Sequence, residues 1–339
     1  MANRDTDTRT CTLVDLPLIR RISDRAMVLD TELEYTRDPG EPMGAIISSI
    51  LLPQRHLHTL ISRADKHQVI GQLRLRADER SAQIVYIAPG PKYDTDDTAW
   101  LHVLDAMAYE AGRQSATVLI GEINEDCALF ETMRHSGFAV YARQQIWRRM
   151  PGDYAYLEPP VQVRAATADD TFDIQKLVTH VVPRLLRMIS DPLDKHPGWV
   201  YERDGRVEAY IAVSTGRHGI YLMPYINPDV LGQTPGIFHG VIQQLQKASK
   251  LPVYVRVRRH QEWLATALEA LQFEPGPRQA LMVRHLTARV RQTRYRLERK
   301  GIEVVPNSAT PLHLPVYEYR RVIKFREVVR ETYGKTHHR

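Results

Sequence analysis

The segments "VLIGEINEDCALFETMRHSGF" (Val118–Phe138) and "VYVRVRRHQEWLATALEALQF" (Val253–Phe273) align without gaps, 135 residues apart. Each begins with an apolar run typical of a β-strand, continues through a polar turn and ends with an amphipathic helix. Leu129 and Leu264 occupy matching positions in the two helices. The alignment therefore predicts an internal duplication of one α/β unit.

The regions around this repeat also follow the same course in both halves. A strand–turn–helix pattern opens each half, as "RTCTLVDLPLIRRISDRAMVL" near the N-terminus and as "VQVRAATADDTFDIQKLVTHV" after residue 160. Short strands and an amphipathic helix follow in each half. Arg148–Val163 has three prolines and one glycine, which indicates a linker. The predicted organisation is a first domain at 1–150, a linker at 151–160, a second domain at 161–288 and an extension at 289–339.

Composition favours a globular protein with two cores. The chain has 339 residues, of which 43% are apolar and 25% charged. No apolar run approaches the roughly 20 residues that span a bilayer, and the N-terminus lacks an apolar signal core, so we expect a cytoplasmic protein without a membrane segment. Cys11 and Cys127 form no CxxC pair. GxSxG, HExxH, GxGxxG and zinc-binding spacings are all missing from the sequence, so we expect no metal site.

The C-terminal extension is basic. From Thr287 onward the sequence has 13 Lys and Arg residues against 5 Asp and Glu residues. Such a segment suits binding to nucleic acid or to an acidic partner. A solvated helix or a contact between identical subunits in a homo-oligomer is the other interpretation, and both stay open. Apolar residues near helical spacing predict a helix around Val316–Thr332.

The order strand, helix, three antiparallel strands, helix, strand, helix, strand resembles the GNAT superfamily of acyl-CoA-dependent N-acyltransferases. The resemblance covers about 10–150 and 160–288 and includes three short signatures: "VRAATADD", a proline after the central strand (Pro89 and Pro228), and Gly137-Phe138. It implies an α/β (α+β) fold of two GNAT-like domains, each a mixed, mostly antiparallel sheet flanked by helices. It also implies transfer of an acetyl group from acetyl-CoA to a primary amine of a small molecule or peptide.

In that family the central strand diverges from its neighbour, and acyl-CoA lies in the gap. A glycine-containing loop then presents backbone N–H groups to the pyrophosphate at a helix N-terminus. In the second half, Leu231 stands where the family has Arg or Gln, Thr234 where it has its first motif glycine, and Gly236 where it has its last. The residues predicted to bind acetyl-CoA are Tyr225, Ile226, Asn227, Leu231, Gly232, Gln233, Thr234 and Gly236.

The first half departs further from the family pattern. Its loop, "APGPKYDTDDTAW", has no glycine at the motif positions and has Asp94, Asp96 and Asp97 at the helix start. These carboxylates would satisfy the helix N-terminus themselves and repel a pyrophosphate. We therefore expect the first half to be degenerate and not to bind CoA in the family manner.

The catalytic groups are fewer than the family usually has. Met133 and Leu268 occupy the position of the tyrosine that protonates the leaving thiolate in many GNAT enzymes. The candidates for proton transfer in the second half are Glu208 and Tyr225. Two functions therefore remain open. One is an N-acetyltransferase that acts through the second domain. The other is a catalytically inactive tandem scaffold or binding module with a basic tail.

Overall fold

The computed structural model describes residues 7–22, 25–37, 57–64, 67–75, 80–93, 96–152, 159–187, 189, 197–245 and 250–286. These residues belong to the unit Met1–Val290, whereas the unit Arg291–Arg339, with the helix predicted around Val316–Thr332, lies outside them. Within the described ranges no helix has the length and apolar character to cross a membrane. No group of three or more His, Cys, Asp or Glu side chains there could hold a metal ion.

Strands and helices alternate in the order that the repeat predicts. The strands of the first half are β1 (Asp7–Thr10), β2 (Met27–Val28), β3 (Leu57–Ala64), β4 (His67–Leu75), β5 (Ser81–Ala88), β6 (Val118–Asn124) and β7 (Ala139–Arg149). Its helices are α1 (Leu16–Ile22), α2 (Thr31–Thr36), α3 (Thr98–Arg113) and α4 (Ala128–His135). The strands of the second half are β8 (Arg164–Ala165), β9 (Gly198–Arg203), β10 (Arg206–Thr215), β11 (Ile220–Ile226), β12 (Val253–Arg258) and β13 (Glu274–His285). Its helices are α5 (Thr171–Val181), α6 (Arg184–Arg187), α7 (Thr234–Gln244) and α8 (Ala265–Ala270).

The described strands form one continuous sheet. Their order is β1-β3-β4-β5-β6-β13-β7-β12-β11-β10-β9-β8, and β2 lies beside β5. Neighbours are antiparallel except for two parallel pairs, β5 with β6 and β11 with β12. Each half thus has a mixed, mostly antiparallel sheet with helices packed on it, which confirms the predicted fold class.

The last strand of each half lies beside the other half. Strand β13 pairs with β6, from Gln279 opposite Asn124 to His285 opposite Val118. Strand β7 pairs with β12, and β7 and β13 also pair with each other in the middle of the sheet. The sequence did not predict this exchange. The domain boundaries at 150 and 161 stay a prediction, because the sheet has no break between the halves.

The helices of the repeat have equivalent packing in the two halves. Leu129 and Met133 of α4 are fully buried in the first-half core. Leu264, in the 3₁₀ turn before α8, and Leu268 of α8 are fully buried in the second-half core. The predicted equivalence of the two segments is confirmed for these positions. Met133 and Leu268, which replace the family's tyrosine, therefore serve as packing residues.

The gapless alignment is wrong by one residue in the strands. Leu119 and Ile123 of β6 face the first-half core, whereas Val255 and Val257 of β12 face the second-half core. Because side chains alternate along a strand, a shift of one residue exchanges the two faces. When the core-facing residues of the two strands are aligned with each other, Glu122 of β6 corresponds to Arg256 of β12 and no longer to Val257. In the same alignment Asn124 corresponds to Arg258. These polar residues lie on the sheet face that both halves share.

A second structural repeat lies at the start of each half. Arg9 donates two hydrogen bonds to Asp15, at 2.7 and 2.8 Å. Arg164 donates two to Asp170, at 2.8 and 2.6 Å. In both places the aspartate also accepts from the backbone N–H of the threonine three residues before it. This shared geometry supports the duplication independently of the first repeat.

This ion pair should make stability depend on acid pH. The hydrogen bonds from Arg9 lower the pKa of Asp15 to about 2. A carboxyl with a lowered pKa stabilises the native state above its unfolded pKa, near 4, and that contribution disappears as the pH falls towards 2. Asp15→Asn should therefore lower the free energy of unfolding by about 2 kcal/mol at pH 7 and weaken its decline below pH 4. Urea unfolding at pH 3, 4 and 7 measures both effects, and Asp173→Asn, at an exposed position in α5, is the control.

Candidate functional site

The gap expected to hold acyl-CoA exists in both halves. In the second half, β11 and β12 pair only between Ile220–Leu222 and Val253–Val255. In the first half, β5 and β6 pair only between Ser81–Gln83 and Val118–Ile120. Beyond these short parallel ladders the two strands of each pair make no further ladder contacts, so each half has the geometry of a split sheet.

Backbone of the same chain fills the first-half gap. The N–H of Leu29 donates to the carbonyl oxygen of Val85 in β5 at 2.9 Å. Its carbonyl accepts from the N–H of Glu122 in β6 at 2.9 Å, and Leu29 is fully buried. Strand β2, directly before it, pairs with the end of β5. A pantetheine chain could lie there only by displacing this segment, so this gap does not fit CoA.

The phosphate loop of the first half is also occupied. Asp96 Oδ1 accepts from the N–H of Thr98, the first residue of α3, at 3.0 Å. The carboxylate thus takes the place that a phosphate would need at this helix N-terminus. Asp94 lies outside the described residues. The filled gap and the capped helix together support the expected degeneracy of the first half.

Among the described residues, a side chain and not backbone spans the second-half gap. Gln261 Nε2 donates to the carbonyl oxygen of Pro224 in β11 at 2.7 Å, and Gln261 Oε1 accepts from the N–H of Arg258 at 3.4 Å. Among the described strands, β11 pairs only with β10 and β12. A glutamine can rotate away from a ligand, whereas a paired backbone segment cannot. The second-half gap therefore fits a pantetheine chain better than the first.

Part of the predicted phosphate loop is open to solvent. The loop is a 3₁₀ turn, Pro228–Gln233, that runs directly into α7. Leu231 is 52% exposed, and a Cβ at Gly232 would meet no atom within 4 Å. Arg203, at the end of β9, places Nη1 3.5 Å from the carbonyl oxygen of Asp229. A basic side chain thus lies beside the loop, although the family's own basic position is Leu231.

The remaining loop residues are engaged in packing. Gln233 Oε1 accepts from the hydroxyl of Tyr201 at 2.8 Å, and the buried Thr234 donates from its N–H to the Leu231 carbonyl. A Cβ at Gly236 would lie 3.0 Å from the carbonyl oxygen of Pro159. The linker thus crosses α7 at this glycine, and its close approach explains why residue 236 has no side chain. Its contact with a phosphate stays a prediction.

The catalytic candidates lie on one face of the sheet. Tyr225 is opposite Tyr210 in the β10–β11 ladder, and Asn227 follows two residues later. Asn227 Nδ2 donates to Glu208 Oε2 at 2.7 Å, and Glu208 lies at a bulge in β10. Ile226 is buried in the second-half core on the opposite face. The structure therefore brings Glu208 and Asn227 into contact, with Tyr225 two residues before Asn227, and directs Ile226 to the opposite face.

Arg256 orients the Tyr225 hydroxyl. Its Nη2 donates to the Tyr225 oxygen at 3.3 Å, and both residues are more than nine-tenths buried. Since the hydroxyl oxygen accepts this bond, its own hydrogen remains able to donate to another group. This arrangement suits a tyrosine that delivers a proton to a leaving group.

Sequence reasoning missed a row of polar residues across the four central strands. Asn124, Gln279, Gln144 and Arg258 are successive ladder partners on β6, β13, β7 and β12. Gln279, Gln144 and Arg258 are each 3% exposed. We call these four residues the polar row. The sequence feature that could have indicated the polar row is the alternation of valine and arginine in "VYVRVRR", because the repeat places this strand inside the sheet.

The arginine end of the polar row has a strongly positive environment. Burial and the neighbouring Arg256 lower the pKa of Arg258 to about 10. Burial, followed by Arg258 and Arg256, lowers the pKa of His260 to about 4. His260 is therefore neutral at pH 7, and the two arginines dominate the local charge.

Solved structures resemble this fold, and two of them illustrate the likeness. A GCN5-related N-acetyltransferase from Sphaerobacter thermophilus has a TM-score of 0.52 at 11% identity, over 84% of this chain and 96% of its own. A protein from Pyrococcus horikoshii, described as "a putative acetyltransferase", has a TM-score of 0.50 at 11% identity, over 85% of this chain and 92% of its own. No protein-family model and no curated protein matches the chain. The likeness shows that the chain has the GNAT acetyltransferase fold.

Proposed function

We propose that the protein is a GNAT-type N-acetyltransferase that transfers an acetyl group from acetyl-CoA to a primary amine through its second half. The observation that carries this proposal is the contrast between the two gaps. The first-half gap contains the paired backbone of Leu29, whereas the second-half gap is spanned by the Gln261 side chain. Only the second half also has an open glycine, Gly232, at its phosphate loop.

In this proposal, different residues of the second half bind the cofactor and transfer protons. Backbone amides around Leu231 and Gly232, with Arg203 beside them, would hold the pyrophosphate. Acetyl-CoA supplies the activated acetyl thioester when bound. Glu208 accepts a proton from the amine, while the Tyr225 hydroxyl, oriented by Arg256, donates one to the departing sulfur. Positioning of the amine in the split sheet provides much of the expected rate enhancement.

Binding of acetyl-CoA tests this proposal directly. Acetyl-CoA at 100 times its dissociation constant should stabilise the wild-type protein by about 2.7 kcal/mol, measured as a rise in melting temperature. Leu231→Arg should tighten binding, because it restores a cation at an exposed loop position, and Arg203→Gln should weaken it. Calorimetry gives the dissociation constants. If acetyl-CoA binds neither to the wild type nor to Leu231→Arg, the proposed acetyltransferase function is wrong.

One set of contacts favours a second candidate, an inactive scaffold. The Gln261 bridge closes the second-half gap, and both tyrosine positions of the family contain packing residues, Met133 and Leu268. In this alternative the two halves form one interaction module, and the basic extension binds nucleic acid or an acidic partner. Absence of CoA binding together with salt-sensitive binding of nucleic acid would support the scaffold.

A further inference from the structure

Arg256 and Arg258 are two buried arginines that form no direct ion pair with a described carboxylate, although Glu122 lies near enough to favour their charged forms. They are 9% and 3% exposed, and the Nε atom of each has no hydrogen-bond partner. The bond from Arg256 to Tyr225 is the one hydrogen bond that either guanidinium donates to a described side chain. Buried arginines are normally paired, because an uncompensated buried charge costs several kcal/mol. The pair therefore has unused capacity to bind an anion.

Unused hydrogen-bond acceptors lie next to the arginines. Gln144, the ladder partner of Arg258, donates through Nε2 to Glu122 Oε1 at 3.2 Å, but its own Oε1 has no partner. Asn124 Oδ1, two strands further along the polar row, also lacks one. Buried amide oxygens and the Glu122 carboxylate suit an ammonium group. The site thus offers donors for an anion at one end and acceptors for an amine beside them.

The spacing of these groups suggests the size of the ligand. Directly opposed residues on neighbouring strands are about 5 Å apart at Cα. Arg258 and Gln144 have this relation, so an anionic group and an amine bound to their side chains would be separated by one or two carbon atoms. Arg256 connects the same site to Tyr225 at the end of β11, where the proposed acetyl transfer occurs.

We propose that Arg256 and Arg258 bind the carboxylate of the acetyl acceptor, and that this acceptor is a small amino acid whose amine faces Gln144 and Glu122. For an acceptor held in this way Glu122, in place of Glu208, would accept the amine proton. The assignment of this ligand as the acceptor rests on the proposed function. The binding site itself rests on the unpaired arginines and amide oxygens of the structure.

Binding without acetyl-CoA tests the site on its own. The purified full chain is titrated calorimetrically with each of the twenty common amino acids and β-alanine. Every ligand that binds is then compared with its carboxamide, which keeps the amine but lacks the carboxylate. We expect at least one amino acid to bind and its carboxamide to bind at least tenfold more weakly. If no amino acid binds, or if the carboxamide binds equally well, the proposal is wrong. Binding of O-phosphoethanolamine alone would also overturn the carboxylate assignment.

Two arginine variants separate binding from folding. Arg258→Met should reduce amino acid binding at least tenfold and raise the melting temperature of the unliganded protein by about 2–4 °C, because it removes a buried charge that Arg256 repels. The control is Arg149→Met. Arg149 is also buried, but its guanidinium lies 5.2 Å from the Phe273 ring centre, so its loss should lower the melting temperature and leave binding unchanged. A fall in melting temperature for Arg258→Met would show a structural arginine and overturn the proposal.

The same variants distinguish this inference from the proposed function. If amino acids bind through Arg258 but acetyl-CoA does not bind, the anion site stands and acetyl transfer is refuted. If acetyl-CoA binds but no amino acid does, the proposed function stands and the acceptor class is wrong.

Discussion

Replacing Gly216 by valine should lower the free energy of unfolding by about 3 kcal/mol or more, the largest stability change that we expect from a single substitution. Gly216 lies in the turn between β10 and β11. A Cβ there would lie 1.8 Å from the carbonyl oxygen of Thr36 and 2.5 Å from its carbonyl carbon. Because both contacts are to backbone, neither can be relieved by a change of side-chain rotamer.

The substitution should also weaken the hydrogen bonds that join α2 to the second half. The N–H of His218 donates to the Thr36 carbonyl at 3.3 Å, and Ser214 Oγ donates to Glu32 Oε1 at 2.8 Å. Gly232→Val is the matched control, since a Cβ there has open space. Urea denaturation should show a large loss for Gly216→Val and less than about 0.5 kcal/mol for the control. Equal stability of the two variants would refute this packing.

Gly232→Asp should weaken acetyl-CoA binding at least 100-fold, which corresponds to about 2.7 kcal/mol. The new carboxylate would place a negative charge and extra bulk where we expect the pyrophosphate to approach the loop amides. Gly232 is a better test position than Gly236, because a side chain at Gly236 would also displace the linker at Pro159. The glycine at 232 has no such neighbour.

The control for this experiment lies in the first half. Asp96→Asn changes a carboxylate at the equivalent helix start, where we propose that no CoA binds, so it should leave the dissociation constant within twofold. Calorimetry on both variants measures the difference. If Asp96→Asn alters the affinity and Gly232→Asp does not, then CoA binds to the first half and our assignment is reversed.

The sequence predicted the repeated fold because its helices preserve a regular apolar spacing. Leu129 and Leu264 mark the same position in the two cores. The strands could not be aligned equally well, because a short alternating strand matches its copy nearly as well after a shift of one residue. The one-residue error concealed the correspondence of Glu122 with Arg256.

The two gaps were also beyond prediction, for a different reason. Leu29 fills the first-half gap through its backbone N–H and carbonyl, and backbone hydrogen bonds leave little trace in a sequence. Arg256 and Arg258 alternate with valines, and the same alternation is typical of a strand with one solvent-exposed face. The strands that contribute the rest of the polar row come from other parts of the chain. By contrast, the candidate phosphate loop and Tyr225 were predicted from a local pattern, and their roles stay a prediction.

The exchanged last strands have a consequence for how this chain is made on the ribosome. Strand β6 leaves the exit tunnel long before its neighbour β13 (Glu274–His285) has been translated. At about 5–20 residues per second, its edge waits roughly 10–30 s for that partner. During this interval β7, which emerges first, is free to pair with β6 in its place. Nascent chains on one polysome could also exchange these strands with each other. Protection of the unfinished edge, by a chaperone or by rapid translation of the second half, would then determine the yield of correctly folded chains.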